Sequence, residues 1–198
     1  WAKHDGKWQS ISWRETADRV CLLAESLLAM GLNPGDRVML VSENRPEWCI
    51  ADLAIMAAGL VTVPTYTTNT ERDHQHILDN SGARAVIVST AKLAKAVLPA
   101  LLRSTESEHL IGIEPLGIKQ SGSYEYRDWQ SLLTGDAAAA RAAVDARQAG
   151  VKRGDLACII YTSGTGGAPR GVRLHHGSIL CNVDGAAHIL ANDFGWGD

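Results

Sequence analysis

Apolar residues along this chain come in two alternating arrangements. Short, nearly unbroken runs stand at Val38 to Val41, Val61 to Val63, Ala85 to Val88, Leu110 to Ile113 and Leu156 to Tyr161. Runs of that length, rich in branched residues, suit strands covered on both faces. Between them the spacing turns helical: Val20, Leu23, Ala24, Leu27 and Leu28, then Trp48 to Ala58, a segment from Thr70 to about Asn80, Lys92 to Leu102, and Ser178 to Leu190. The boundaries carry their own signals. Ser12 with Glu15 and Thr70 with Asp73 have capping-box spacing, and Pro46 suits a first helical turn. Gly31, Gly59 and Ser81-Gly82 close helices, and Asn33-Pro34-Gly35-Asp36 is a turn.

Strand and helix in alternation predict an α/β fold, a mainly parallel sheet with helices on both faces. Trp8 to Trp13 alternates like a short strand or an edge hairpin. Thr65 to Asn69 and Gly117 to Ser123 read as loops. Tyr126 to Leu133 reads as a helix whose Trp129 packs on the core. The alanine-rich Asp136 to Gln148 fits a surface helix or a mobile linker equally well.

Composition narrows the classes. The chain has 198 residues, 45% hydrophobic and 21% charged, with a formal net charge of −3. That is ordinary for a globular domain and lacks the basic surplus of a nucleic-acid binder. No apolar run is long enough for a transmembrane helix, and no signal peptide opens the chain. Cys21, Cys49, Cys158 and Cys181 are scattered without metal spacing, as reduced and mostly buried thiols of a cytoplasmic protein would be. The first residue is Trp1, as if the chain were cut from something longer.

The chemistry concentrates between Tyr161 and His176, YTSGTGGAPRGVRLHH. A buried strand empties here into glycines and small hydroxyl residues. Such a loop brings backbone N–H groups and hydroxyls close to an anion, and Arg170 adds a guanidinium that can fork onto phosphate oxygens. Two familiar phosphate loops fail. Gly166 and Gly171 have Walker spacing, but Val172 and Arg173 occupy the Lys and Ser/Thr positions. Gly164 and Gly166 begin a GxGxxG, but Pro169 takes the third glycine.

The same stretch resembles the signature loop of the adenylate-forming superfamily, written YTSGTTGxPKGVxxTH. Tyr161, Thr162, Ser163, Gly164, Thr165, Gly167, Pro169, Gly171, Val172 and His176 match it. Gly166, Arg170 and His175 stand where the pattern has Thr, Lys and Thr. Upstream, Gly31-Leu32, Gly35 to Val38, Ser42 to Trp48, Gly59 to Tyr66, Ile77-Leu78 and Ser81-Gly82 are similar to long-chain acyl-CoA synthetases. Leu102 to Arg153 carries the weakest likeness.

The resemblance implies the N-terminal part of the large AMP-binding (adenylation) domain over residues 1–198, the rest of that domain and the C-terminal domain lying outside this chain. It implies a parent that activates a fatty acid with Mg2+ and ATP to an acyl-adenylate and passes it to coenzyme A. Thr162, Ser163, Gly164, Thr165, Gly166, Gly167 and Arg170 are then the nucleotide-phosphate residues. Positions matching the adenine, metal and catalytic-lysine sites lie outside this chain, which assigns no catalytic residue and no metal ligand within it. A chain of this extent is expected to be inactive alone and prone to self-associate. A cytoplasmic setting follows, with peripheral contact to a membrane left open and no nucleic-acid partner. The alternatives are an acyl-adenylating enzyme that loads a carrier protein, and a non-catalytic protein that keeps the fold. His175 and His176, adjacent and expected on a strand, face opposite sides there and suit no shared metal. His74 and His76 fall on different faces of one helix. Glu43, Glu47 and Asp52 read as helix-start and surface charges.

Overall fold

The structure, a computed structural model, describes residues 2–4, 6–118, 122–162 and 168–195. After a short hairpin of β1 (Ala2–His4) and β2 (Lys7–Gln9), helix and strand alternate: α1 (Trp13–Ala29), β3 (Arg37–Val41), α2 (Pro46–Ala57), β4 (Val61–Thr65), α3 (Glu71–Ser81), β5 (Ala83–Val88), α4 (Ala91–Arg103) and β6 (His109–Gly112). Then follow β7 (Glu125–Asp128), a 3-10 turn at Trp129–Leu132, α5 (Ala137–Gln148), β8 (Leu156–Thr162), β9 (Arg170–His175) and α6 (His176–Phe194). Seven strands make one sheet in the order β7-β6-β5-β3-β4-β8-β9. Every pair is parallel except β8 with β9. The expected α/β class with a mainly parallel, doubly covered sheet is therefore the observed one.

Alternation along the strands divides the core in two. Val38, Leu40, Ala85, Ile87 and Ile111 face α1, α2 and α5. Met39, Val41, Val86, Val88 and Leu110 face α3 and α4. Every residue from Val38 to Val41 is fully buried, so β3 has no polar face to offer water.

Caps fix where the helices begin. The Ser12 hydroxyl accepts from the Glu15 N–H at 3.1 Å. At α3 the box is reciprocal: Thr70 Oγ1 accepts from the Asp73 N–H, and the Asp73 carboxylate accepts from the Thr70 N–H at 2.8 Å. Gly82 ends α3 at φ 61°, a left-handed position that glycine takes without steric cost. The Arg37 guanidinium covers the exposed end, donating to the carbonyls of Ser81 and Gly82, both at 2.7 Å.

Several sequence expectations need correction. Glu125–Asp128 is not the start of a helix: it pairs in parallel with β6 as an edge strand, and only Trp129–Leu132 turns helically. The backbone of β6 would otherwise present an unpaired edge, and that demand outweighs the local apolar spacing. Trp129 is buried in the cluster under α1 and α5, as expected. The alanine-rich segment is a helix, held to α1 by Arg141–Asp18 and Arg147–Glu25 ion pairs at 2.6 Å and 2.8 Å. β4 continues past Pro64 to Thr65; toward β8 it is in register only at Thr62 with Cys158, and an interrupted ladder tolerates a residue without an N–H. Asp52 is not a surface charge: burial pushes its carboxyl pKa up. The thiols divide evenly, Cys21 and Cys158 buried, Cys49 and Cys181 exposed, all four free. No helix among the described residues is long and apolar enough to cross a membrane.

His74, on the inner face of α3, is 1% exposed. Burial lowers its pKa, and the neighbouring Asp73 carboxylate offsets only part of that. His109 is lowered in the same way, against Glu125 and Glu108. The unfolded chain therefore takes up protons near pH 6.5 that the folded chain refuses, so stability is complete above that pH and falls as pH drops through it. Urea unfolding at pH 7.5 and pH 5.5 should show a loss of about 1 kcal/mol per buried imidazole for each pH unit below the unfolded pKa. His74→Leu should remove about half of the dependence, leaving the part due to His109. Equal stability at the two pH values would mean that neither imidazole is held neutral.

Candidate functional site

β8 and β9 form an antiparallel hairpin, and its register sets the geometry of the site. Thr162 stands opposite Arg170, Tyr161 opposite Gly171, Ile160 opposite Val172 and Ile159 opposite Arg173. Thr162 and Arg170 are thus partners across the open mouth of the hairpin, on one face, and both are exposed. Arg173 falls on the other face, three residues along a two-residue period. Ser163, Gly164, Thr165, Gly166 and Gly167 lie outside the described residues.

Because β8 runs parallel to β4, the mouth opens at the carboxyl end of the parallel strands. That is the end at which open α/β sheets take ligands. The other end of the hairpin is tied down. The His176 N–H donates to the Asp155 carbonyl at 3.0 Å, and the Gly177 N–H to the Arg153 carbonyl at 2.7 Å. These bonds occupy two of the free donors of the first turn of α6. His175 and His176 are accordingly not a strand pair: His175 ends β9 and caps α6, and His176 is the helix's first residue.

Both sides of the loop rest on α3. The Tyr161 hydroxyl donates to Asn80 Oδ1 at 2.6 Å. Burial pushes the phenol pKa up, which keeps the proton that this bond needs. Past the loop, His76 Nε2 meets the Pro169 carbonyl at 2.8 Å. A carbonyl can only accept, so Nε2 carries the hydrogen. The His76 ring also stands edge-on to Tyr161, centroids 6.1 Å apart at 88°. Sequence spacing places His76 and Asn80 one turn apart on a helix, but nothing in it shows what that face meets.

Gly171 has no room for a side chain. A Cβ there would lie 2.8 Å from Ile159 Cγ2 and 3.1 Å from the Tyr161 ring. The glycine lets β9 close over Tyr161 and so belongs to the packing beneath the site.

The polar cluster at the ends of β3, β5 and β6 is self-satisfied. Ser89 donates to the Glu43 carboxylate, and Arg45 pairs with Glu47 at 2.8 Å and Glu114 at 2.7 Å. A cleft of about 550 Å³ beside His76 is lined by Arg72 and Arg103 but also by Glu71 and Asp79, and that mixture suits no polyphosphate. Among the described residues no group of three or more His, Cys, Asp or Glu could hold a metal. Thr162 and Arg170 set one hydroxyl and one guanidinium side by side on the same face of the hairpin.

The whole chain, residues 1–198, matches the family described as AMP-binding enzyme. It belongs to that family. Among curated proteins it is 32% identical over 188 residues to the long-chain-fatty-acid–CoA ligase FadD15 of Mycobacterium tuberculosis, covering 92% of this chain and 29% of that protein. It is 28% identical over 189 residues to the long-chain-fatty-acid–CoA ligase ACSBG2 of Rattus norvegicus, covering 96% of this chain and 28% of that protein. Among solved structures it superposes on a benzoate CoA ligase from Burkholderia xenovorans with a TM-score of 0.67 at 26% identity, covering 92% of this chain and 32% of that one. The chain thus spans under a third of the length of these relatives.

The packing under the motif can be tested without substrate. Gly171→Ala should destabilise the fold by about 1–3 kcal/mol, the usual range for an overpacked site. Tyr161→Phe should cost about 1 kcal/mol, through the hydrogen bond to Asn80. Denaturant midpoints of the two variants against the parent sequence check both; a Gly171→Ala midpoint equal to the parent's would contradict the close packing of β9 on Tyr161.

Proposed function

We propose that this chain is the N-terminal part of the adenylation domain of a long-chain fatty-acid–CoA ligase. Its relatives named above and the motif from Tyr161 to His176 support the reading. The observation that carries it is local: the hairpin register sets Arg170 beside Thr162 at the carboxyl end of the sheet.

The reaction proceeds in two steps. A fatty-acid carboxylate oxygen attacks the α-phosphorus of Mg-ATP; the bond to the bridging oxygen breaks and pyrophosphate leaves, giving an acyl-adenylate. The thiol sulfur of coenzyme A then attacks the acyl carbonyl, loses its proton, and AMP departs. The contribution of this chain belongs to the first step. Thr162, Ser163, Gly164, Thr165, Gly166 and Gly167 supply hydroxyl and N–H donors to the leaving pyrophosphate, and Arg170 supplies the neutralising charge. Mg2+ enters with the nucleotide. The unpaired cysteines fit work in a reducing, cytoplasmic compartment.

Arg170 is the most informative residue to change. In the full-length parent, Arg170→Ala should slow ATP–pyrophosphate exchange on the order of 10²–10³-fold, by analogy with removing one preorganised donor. Arg170→Lys should recover much of it, and Arg173→Ala, on the opposite face of β9, should do little. Thioester formation from synthetic acyl-adenylate should hold, since no polyphosphate remains to be gripped. Exchange at the parental rate in Arg170→Ala would refute the phosphate reading. Residues 1–198 alone should form no acyl-CoA; turnover by this chain, free of contaminating ligase, would overturn its assignment as a part of the catalytic unit.

A further inference from the structure

We propose that His76 and Asn80 are positioning residues for adenylation: α3 grips the residues on both flanks of the loop after β8 and thereby sets where the neighbouring Thr162 and Arg170 stand. The proposal rests on the phosphate reading of that loop. Tyr161 and Pro169 stand on the two flanks, and each has a polar tether to α3. On the β8 side the Tyr161 hydroxyl donates to Asn80 Oδ1 at 2.6 Å. On the β9 side the Pro169 carbonyl accepts from His76 Nε2–H at 2.8 Å. The two tethers are one helical turn apart on α3, a rigid spacing of about 5–6 Å between side-chain origins. The ring of His76 against Tyr161 joins them into one unit.

The arrangement has a directional logic. Pro169 lacks an N–H, so its carbonyl is the only backbone hydrogen-bonding group at that residue, and His76 takes it. Arg170 follows immediately, and Thr162 follows Tyr161 immediately. Each tether therefore stands one residue from a member of the anion-facing pair. Neither His76 nor Asn80 needs to touch nucleotide. Donors held in place before the transition state forms need no reorganisation during it, and misplacement by remote changes is costly.

α3 itself is firmly set. The capping box at Thr70 and Asp73 fixes its start, and Arg37 fixes its end through Ser81 and Gly82. Ile77 and Leu78 are buried in the core on that side. A helix locked at both ends is a suitable ruler for the two strand ends that carry Thr162 and Arg170.

The test uses the full-length parent. His76→Leu removes the donor, and His76→Gln keeps an N–H near the position of Nε2. We expect His76→Leu to lower kcat/KM for ATP in pyrophosphate exchange roughly tenfold, the scale of one part-buried hydrogen bond. His76→Gln should restore most of that loss, and Asn80→Leu should reproduce it. Thioester formation from synthetic acyl-adenylate should be unchanged in all three, which also reports that they fold. Parental exchange in His76→Leu would overturn the proposal. So would a loss that strikes both half-reactions and is not restored by glutamine, because His76 would then serve only general stability. Arg170→Ala, measured alongside, separates two failures. If it loses exchange while His76→Leu does not, the positioning role alone is wrong. If it too exchanges at the parental rate, the phosphate reading is wrong and the positioning role falls with it.

Discussion

Val38 to Val41 are sealed from water on both sides, and the rest of the architecture follows from that burial. A strand with no wet face must sit inside a sheet, flanked by other strands and covered twice. β5 and β4 flank it, and α1 and α2 on one side and α3 on the other cover it. Parallel neighbours need long crossover connections, and α2, α3 and α4 supply them after β3, β4 and β5. Those helices start at the carboxyl end of the sheet, and the loops that lead into them, with the mouth of the β8–β9 hairpin, gather at the same end.

How much of this was legible in the sequence depended on range. Signals spanning a few residues were dependable: the Thr70–Asp73 box, Pro46 at the first turn of α2, and Gly82 after α3 all stand where the pattern puts them. What failed was decided by partners far away in the chain. Tyr126 to Leu133 reads as a helix, yet the open edge of β6 recruits its first residues as a strand. Asp136 to Gln148 gave no preference between helix and linker, because its answer lies in Asp18 and Glu25, more than a hundred residues earlier.

The same division runs through the candidate site. Arg170, Thr162 and the residues between them announce themselves by type and order. The opposition of Arg170 to Thr162 needs the hairpin register, and the tethers from His76 and Asn80 need the placement of α3 against β8. Histidine at position 76 has no distinguishing neighbour in sequence. It differs from His74, two residues away, only because one side chain is buried in the core while the other reaches the hairpin.

The pairing of β8 with β9 also constrains how related chains can diverge. The register that fixes these faces runs over Leu156–Thr162 and Arg170–His175, so a change of length between the two strands leaves the faces of their side chains unaltered. Inside β9 the rule is strict. One residue inserted between Arg170 and Gly171, with Gly171 kept under Tyr161, would carry the guanidinium to the opposite face of the sheet. Variation in length should therefore collect between the two strands and be absent from β9, and a relative that breaks this pattern has given up the charge at the mouth, whatever its remaining likeness to this chain.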